Sequence, residues 1–200
     1  MKHYKQTTIY TCAAASLMSV LNHFRPDFEM SRENEFRIWE SSAVLPTRGS
    51  SLYALALFAK QDDIPVKIVV EQAEYKFPGY RFKSYKKKEI EVANFHSESY
   101  YKRAKSAGID IEERNFDITE VKSLLKRKKI ILLRIIIGLI RGTKVNKRNP
   151  HYIPVYKYED GFFYLIDPRR GNIKIQEDLL QEAFDAVHNC RRDNRMIVFG

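Results

Sequence analysis

Residues 151–171 read HYIPVYKYEDGFFYLIDPRRG. Two runs of strand-forming residues, 151–158 and 162–167, flank Glu159, Asp160 and Gly161. An Asp-Gly step between such runs is a hairpin signature, because tight hairpin turns need residues that tolerate positive φ. Residues 172–176 extend the meander beyond Asp167 and Pro168. Working outward, residues 129–138 read KIILLRIIIG. That segment is apolar on both faces and predicts a central strand. Residues 177–188 carry Leu179, Leu180, Ala183, Phe184 and Val187 at helical spacing, and residues 196–199 close as a strand.

The first half of the chain is mostly helical. Residues 11–24, TCAAASLMSVLNHF, place Ala14, Leu17, Met18, Leu21 and Phe24 on one face, and Pro26 ends the run. A second helix is predicted over 31–40 with Ser31 as its N-cap. A third, over 51–60, is apolar on nearly every side and therefore buried. Residues 64–70 predict a strand and 97–107 a helix stopped by Gly108. A short strand is expected over 110–115, then a helix to Lys126 capped by Asp117 or Thr119. Helices first and an antiparallel sheet second define an α+β fold. Residues 71–91 lack periodicity and mix Tyr75, Phe77, Tyr80, Phe82 and Tyr85 with basic residues. They read as an insertion or flap within one domain spanning 1–200.

The bulk properties narrow the function classes. Two hundred residues and 23.6 kDa fit one domain, and 44% hydrophobic residues exclude a disordered or collagenous chain. Two cysteines, Cys12 and Cys190, exclude a disulfide scaffold and a four-thiolate zinc module. The N-terminal ten residues have no apolar core, and residues 130–140 are too short, and interrupted by Arg134, to span a bilayer. The cytoplasm is the default compartment, with both thiols free. A formal charge of +10 leaves an acidic partner open. His96 and His188 have no partners at metal spacing, so neither metal nor cofactor is expected.

Chemistry centres on Cys12. It opens a helix, where dipole and free amides favour the thiolate. An inert buried thiol is the ordinary alternative for such a residue. A nucleophilic thiol needs a base and an orienting acid. Hairpin pairing about Asp160 puts Asp167 near Ile153, on the same face as His151 and within diagonal reach of it. A strand-end histidine and a turn aspartate before proline would otherwise be unremarked turn chemistry. Gln6, six residues before Cys12, offers a side-chain amide that, with the Cys12 backbone N–H, could face a developing oxyanion.

Together, QTTIYTCAAASLMSVLNHF and HYIPVYKYEDGFFYLIDPRRG resemble the bacteriocin-processing, double-glycine-leader cysteine peptidases. That resemblance implies a papain-like fold. It implies Gln6 as oxyanion glutamine, Cys12 as nucleophile, His151 as base and Asp167 as orienter. Gly49 before the Leu/Ala-rich helix also fits the pattern. One departure is Ala13, where the family usually has glycine directly after the nucleophile. The implied activity is cleavage of a peptide or amide bond through a thioester. Transpeptidation on the same fold, and a non-catalytic peptide- or nucleic-acid-binding module, remain alternatives.

The basic runs at 86–88, 126–129, 141–148 and 191–195 read as solvated faces or as a rim that attracts an acidic peptide. No nucleic-acid motif has the required spacing, so nucleic acid is not the expected partner. Trp39, Glu33, Glu35 and Glu40 are accounted for by packing and surface charge, and Cys190 reads as incidental.

Overall fold

The structure, a computed structural model, describes residues 1–74, 85–143, 150–190 and 192–200. Residues 75–84 of the expected flap, and the basic loop from residue 144 to 148, lie outside the described residues. The helices are α1 (Cys12–Phe24), α2 (Arg32–Ser42), α3 (Leu52–Gln61), α4 (Lys87–Ser106), α5 (Ile118–Lys126), α6 (Ile137–Ile140) and α7 (Glu177–Asn189). The strands are β1 (Ala43–Val44), β2 (Gly49–Ser50), β3 (Val66–Val70), β4 (Asp110–Glu113), β5 (Ile130–Ile135), β6 (His151–Glu159), β7 (Phe162–Asp167), β8 (Gly171–Gln176) and β9 (Arg195–Phe199). The expected α+β class holds: helices pack on a large, mostly antiparallel sheet.

Seven strands form that sheet in the order β4-β3-β9-β5-β6-β7-β8, and only the β3–β4 pair is parallel. The sheet is therefore not confined to the last third of the chain. β3 and β4 join it because β9 pairs with β3 on one side and β5 on the other. All six residues of β5 are buried, as a strand apolar on both faces requires. Leu132 packs in a core with α1 and α3, while Ile131 and Leu133 pack in a second core with α5 and α7. Helices thus cover both faces of the sheet.

Two elements differ from expectation. α4 begins ten residues before residue 97, at Lys87, and the Lys86 N–H donates to Glu89 Oε2 at 2.6 Å where it starts. Only Ile90, Ala93, Ser97 and Ala104 of this helix are buried, a stripe too thin to stand out among its charges. The apolar run after β5 does not continue as strand: Ile137–Ile140 forms one helical turn, and the Ile136 N–H donates to the Ala183 carbonyl at 2.9 Å. A short apolar run is buried either way, so periodicity alone does not separate the two.

The hairpin forms where expected. Asp160 has φ 51° and Gly161 φ 81°, the left-handed pair a two-residue turn needs. Beside the turn, Glu159 pairs with Phe162, one residue out of the anticipated register. A bulge between Val155 and Lys157 absorbs the difference, so Val155 faces Leu165 as anticipated. Carried two residues further, this register sets Asp167 beside Ile153, on the face His151 shares. Without the bulge Asp167 would fall on the opposite face.

Candidate active site

α1 opens on Cys12 with Thr11 in the N-cap position, yet Thr11 makes no side-chain cap bond. Its hydroxyl donates instead to Glu35 Oε1 of α2 at 2.5 Å. Glu35 is fully buried and gathers the whole N-terminal segment. It accepts from the Thr7 N–H at 2.9 Å, the Thr7 hydroxyl at 2.6 Å and the Tyr4 hydroxyl at 3.2 Å. The first amides of α1 thus have no side-chain cap, and those of Ala13 and Cys12 turn toward the thiol. Glu35 was not distinguished in the sequence from its exposed neighbour Glu33; the only pointer was the row of hydroxyl donors at Tyr4, Thr7 and Thr11.

Two ties bring this segment to the hairpin. The Gln6 N–H donates to the Pro168 carbonyl at 2.9 Å, one residue beyond Asp167. One helical turn after Cys12, the Ser16 hydroxyl donates to the Tyr152 carbonyl at 2.8 Å, one residue beyond His151. The charges of Arg141 and Asp167 reach both the Cys12 thiol and the His151 ring. Cys12, His151 and Asp167 are thus gathered at one end of the sheet, with Gln6 adjoining. Among the described residues, no hydrogen bond joins Cys12 to His151 or His151 to Asp167.

Each group has a different electrostatic setting. Cys12 is partly exposed, but burial of its surroundings pushes the thiol up to about 11; the Ala13 amide, the Arg141 charge and its own amide pull the other way without prevailing. The expected preference for thiolate at a helix start is therefore overridden by desolvation in this state. Burial likewise pushes the His151 imidazole down to about 4, with Arg141 acting in the same sense and Asp167 opposing. His151 Nδ1 is buried and has no hydrogen-bond partner among the described residues.

Asp167 is fully buried and taken by another residue. Arg141, which caps the C-terminus of α6, donates Nε–H to Oδ2 at 2.7 Å and Nη2–H to Oδ1 at 2.6 Å. The Arg169 N–H adds a bond to Oδ1 at 2.8 Å. Burial opposes the Asp167 carboxylate, but these donors outweigh it and hold its pKa below the usual range. Arg141 was read in the sequence only as the start of a basic run; no spacing signal links it to a carboxylate 26 residues away. Gln6 is also engaged: its side-chain N–H donates to the Thr8 carbonyl at 2.5 Å, and its Oε1 is buried without a partner among the described residues. Cys190 is buried at the end of α7, packed with Ile136 and Val187.

A family model described as Peptidase_C39 like family matches residues 1–198. The chain belongs to that family. In this Peptidase_C39-like chain, the match spans the Gln6–Cys12 segment, both cores and the hairpin. Among solved structures the chain is similar to a double glycine motif protease from an AMS/PCAT transporter, solved in complex with the leader peptide. That likeness has a TM-score of 0.48 and 13% identity, over 98% of this chain and 89% of the other. No curated protein matches it. No described helix is long and apolar enough to cross a membrane, and no described cluster of His, Cys, Asp and Glu could hold a metal ion.

Proposed function

We propose that this Peptidase_C39-like protein is a cysteine peptidase or amidase with Cys12 as nucleophile. One observation carries the reading: a helix whose first amides are left uncapped opens on a cysteine, beside a strand-end histidine and a buried aspartate. Membership of a peptidase-like family supports it. His151 takes the thiol proton, and the sulfur attacks the carbonyl carbon of a peptide or amide bond. The carbonyl electrons move onto oxygen, which the backbone N–H of Cys12 and a freed N–H of Gln6 receive. Collapse of the adduct expels the amine, which leaves with the proton from His151. Water then adds to the thioester, releasing the acid and restoring the thiol. Asp167 orients the imidazole by accepting from Nδ1.

The full-length protein incubated with a peptide library that includes Gly-Gly sites, read by mass spectrometry, tests this reading. Cleavage that disappears in Cys12→Ala and falls by about 10³-fold or more in His151→Ala is expected. Full turnover by Cys12→Ala would refute the assignment. Product formation with an added amine would move the reaction to transfer. Absence of cleavage, with peptide binding retained in Cys12→Ala, would make the chain a binding module.

A further inference from the structure

The carboxylate that should orient His151 is already occupied. Both oxygens of Asp167 accept from one guanidinium, in the paired geometry that makes arginine–carboxylate contacts strong. The pair is sheltered, with Arg141 only 10% exposed and Asp167 fully buried at the side chain. Arg141 is itself braced, because Arg170 Nη1–H donates to its carbonyl at 3.1 Å. The charge of this filled carboxylate reaches the imidazole of His151, whose Nδ1 is buried with no hydrogen-bond partner among the described residues. An orphaned buried donor or acceptor is costly and rare in folded proteins. An unsatisfied nitrogen on a residue of the site marks a contact that belongs to another state.

Resting on the reading of Cys12, His151 and Asp167 as the reacting set, we propose that Arg141 is a positioning residue that holds the site at rest by occupying the Asp167 carboxylate in place of His151. While Arg141 grips Asp167, the imidazole lacks its orienting acceptor, and the cation beside it opposes uptake of the thiol proton. When Arg141 moves off, Asp167 regains a free oxygen, Nδ1–H can donate to it, and Nε2 becomes basic enough to accept from Cys12. The exchange involves no covalent change: one ion pair opens and one hydrogen bond closes. The same cation also favours the Cys12 thiolate. Arg141 as an activator of the thiol is therefore the competing role, and it predicts the opposite result.

The test uses the full chain labelled with 15N-histidine, as wild type and as Arg141→Gln, Arg141→Lys and Arg141→Gln/Asp167→Asn. Two readouts are taken: the His151 imidazole resonances across a pH titration, and the rate at which iodoacetamide forms a thioether on Cys12 at pH 6, located by peptide mapping. In that reaction the Sγ–C bond forms, iodide leaves and His151 keeps the thiol proton. The expected result in Arg141→Gln is a proton resident on Nδ1, a His151 titration at least one pH unit higher, and alkylation about tenfold faster. Arg141→Lys keeps the cation but not the planar fork, so it should fall between wild type and Arg141→Gln, and it preserves the test should Arg141→Gln not fold. Adding Asp167→Asn should abolish the gain. An unchanged imidazole spectrum, or slower alkylation in Arg141→Gln, overturns the proposal. The two readings fail separately: Cys12 alkylation that ignores His151→Ala sinks the reacting set, whereas the imidazole spectrum still decides what Arg141 does.

Discussion

His151 couples the site to acid stability. Its folded pKa, about 4, lies below the ordinary value of 6.5, so the unfolded chain binds this proton more readily. The contribution is present in full above pH 6.5 and is lost as pH falls toward 4, amounting to about 2–3 kcal/mol. Thermal melts of wild type and His151→Gln between pH 7 and pH 4 should show the wild type losing more stability on acidification, since carboxylate titrations common to both cancel. Equal losses would mean that the imidazole is not shielded. At this scale the sequence was partly legible. Cys12, His151 and Asp167 could be paired by helix position and hairpin arithmetic. Their ionisation could not, because burial and the Arg141 charge depend on atoms brought in from distant segments.

At the scale of elements, the anchoring of the N-terminal segment rests on one carboxylate. Glu35 on α2 receives four hydrogen bonds from Tyr4, Thr7 and Thr11 while fully buried. Glu35→Ala would strand those donors, and a cost of about 2–4 kcal/mol in urea unfolding is expected. Glu35→Gln should lose less, because its one carbonyl oxygen still accepts. A variant of either kind that unfolds like wild type would place the segment's anchorage elsewhere. The elements themselves were largely readable: the caps at Ser31 and Asp117 accept from Asn34 and Glu120 as their chemistry requires. What escaped was α4's first ten residues, the turn of α6 and the bulge in β6. A bulge leaves no mark in a two-residue alternation until the partner strand is known. Here it is what keeps Asp167 on the face of His151.

For the whole molecule, β5 is the shared wall of two cores. Leu132 packs with α1 and α3, and Leu133 with α5 and α7, both fully buried. Either residue changed to Ala should cost about 2–5 kcal/mol in denaturant unfolding. Because one strand serves both cores, far-UV circular dichroism and Trp39 fluorescence should report one coincident transition in each variant. Separate transitions would mean that the two cores unfold independently. The sequence announced β5 as central but not what would stand beside it, because pairing with β9 depends on contacts across more than sixty residues.

That pairing also sets a timetable. β9 is the last strand in the chain and lies between β3 and β5. While the protein is being made, β3 and β4 can pair with each other, and β5 through β8 can form their meander. The two pieces have no common strand until residues 195–199 have left the ribosome. The sheet, and with it the surface on which α3 rests, is therefore completed only after translation of these residues, and until then both half-sheets expose an edge that other nascent chains could seize.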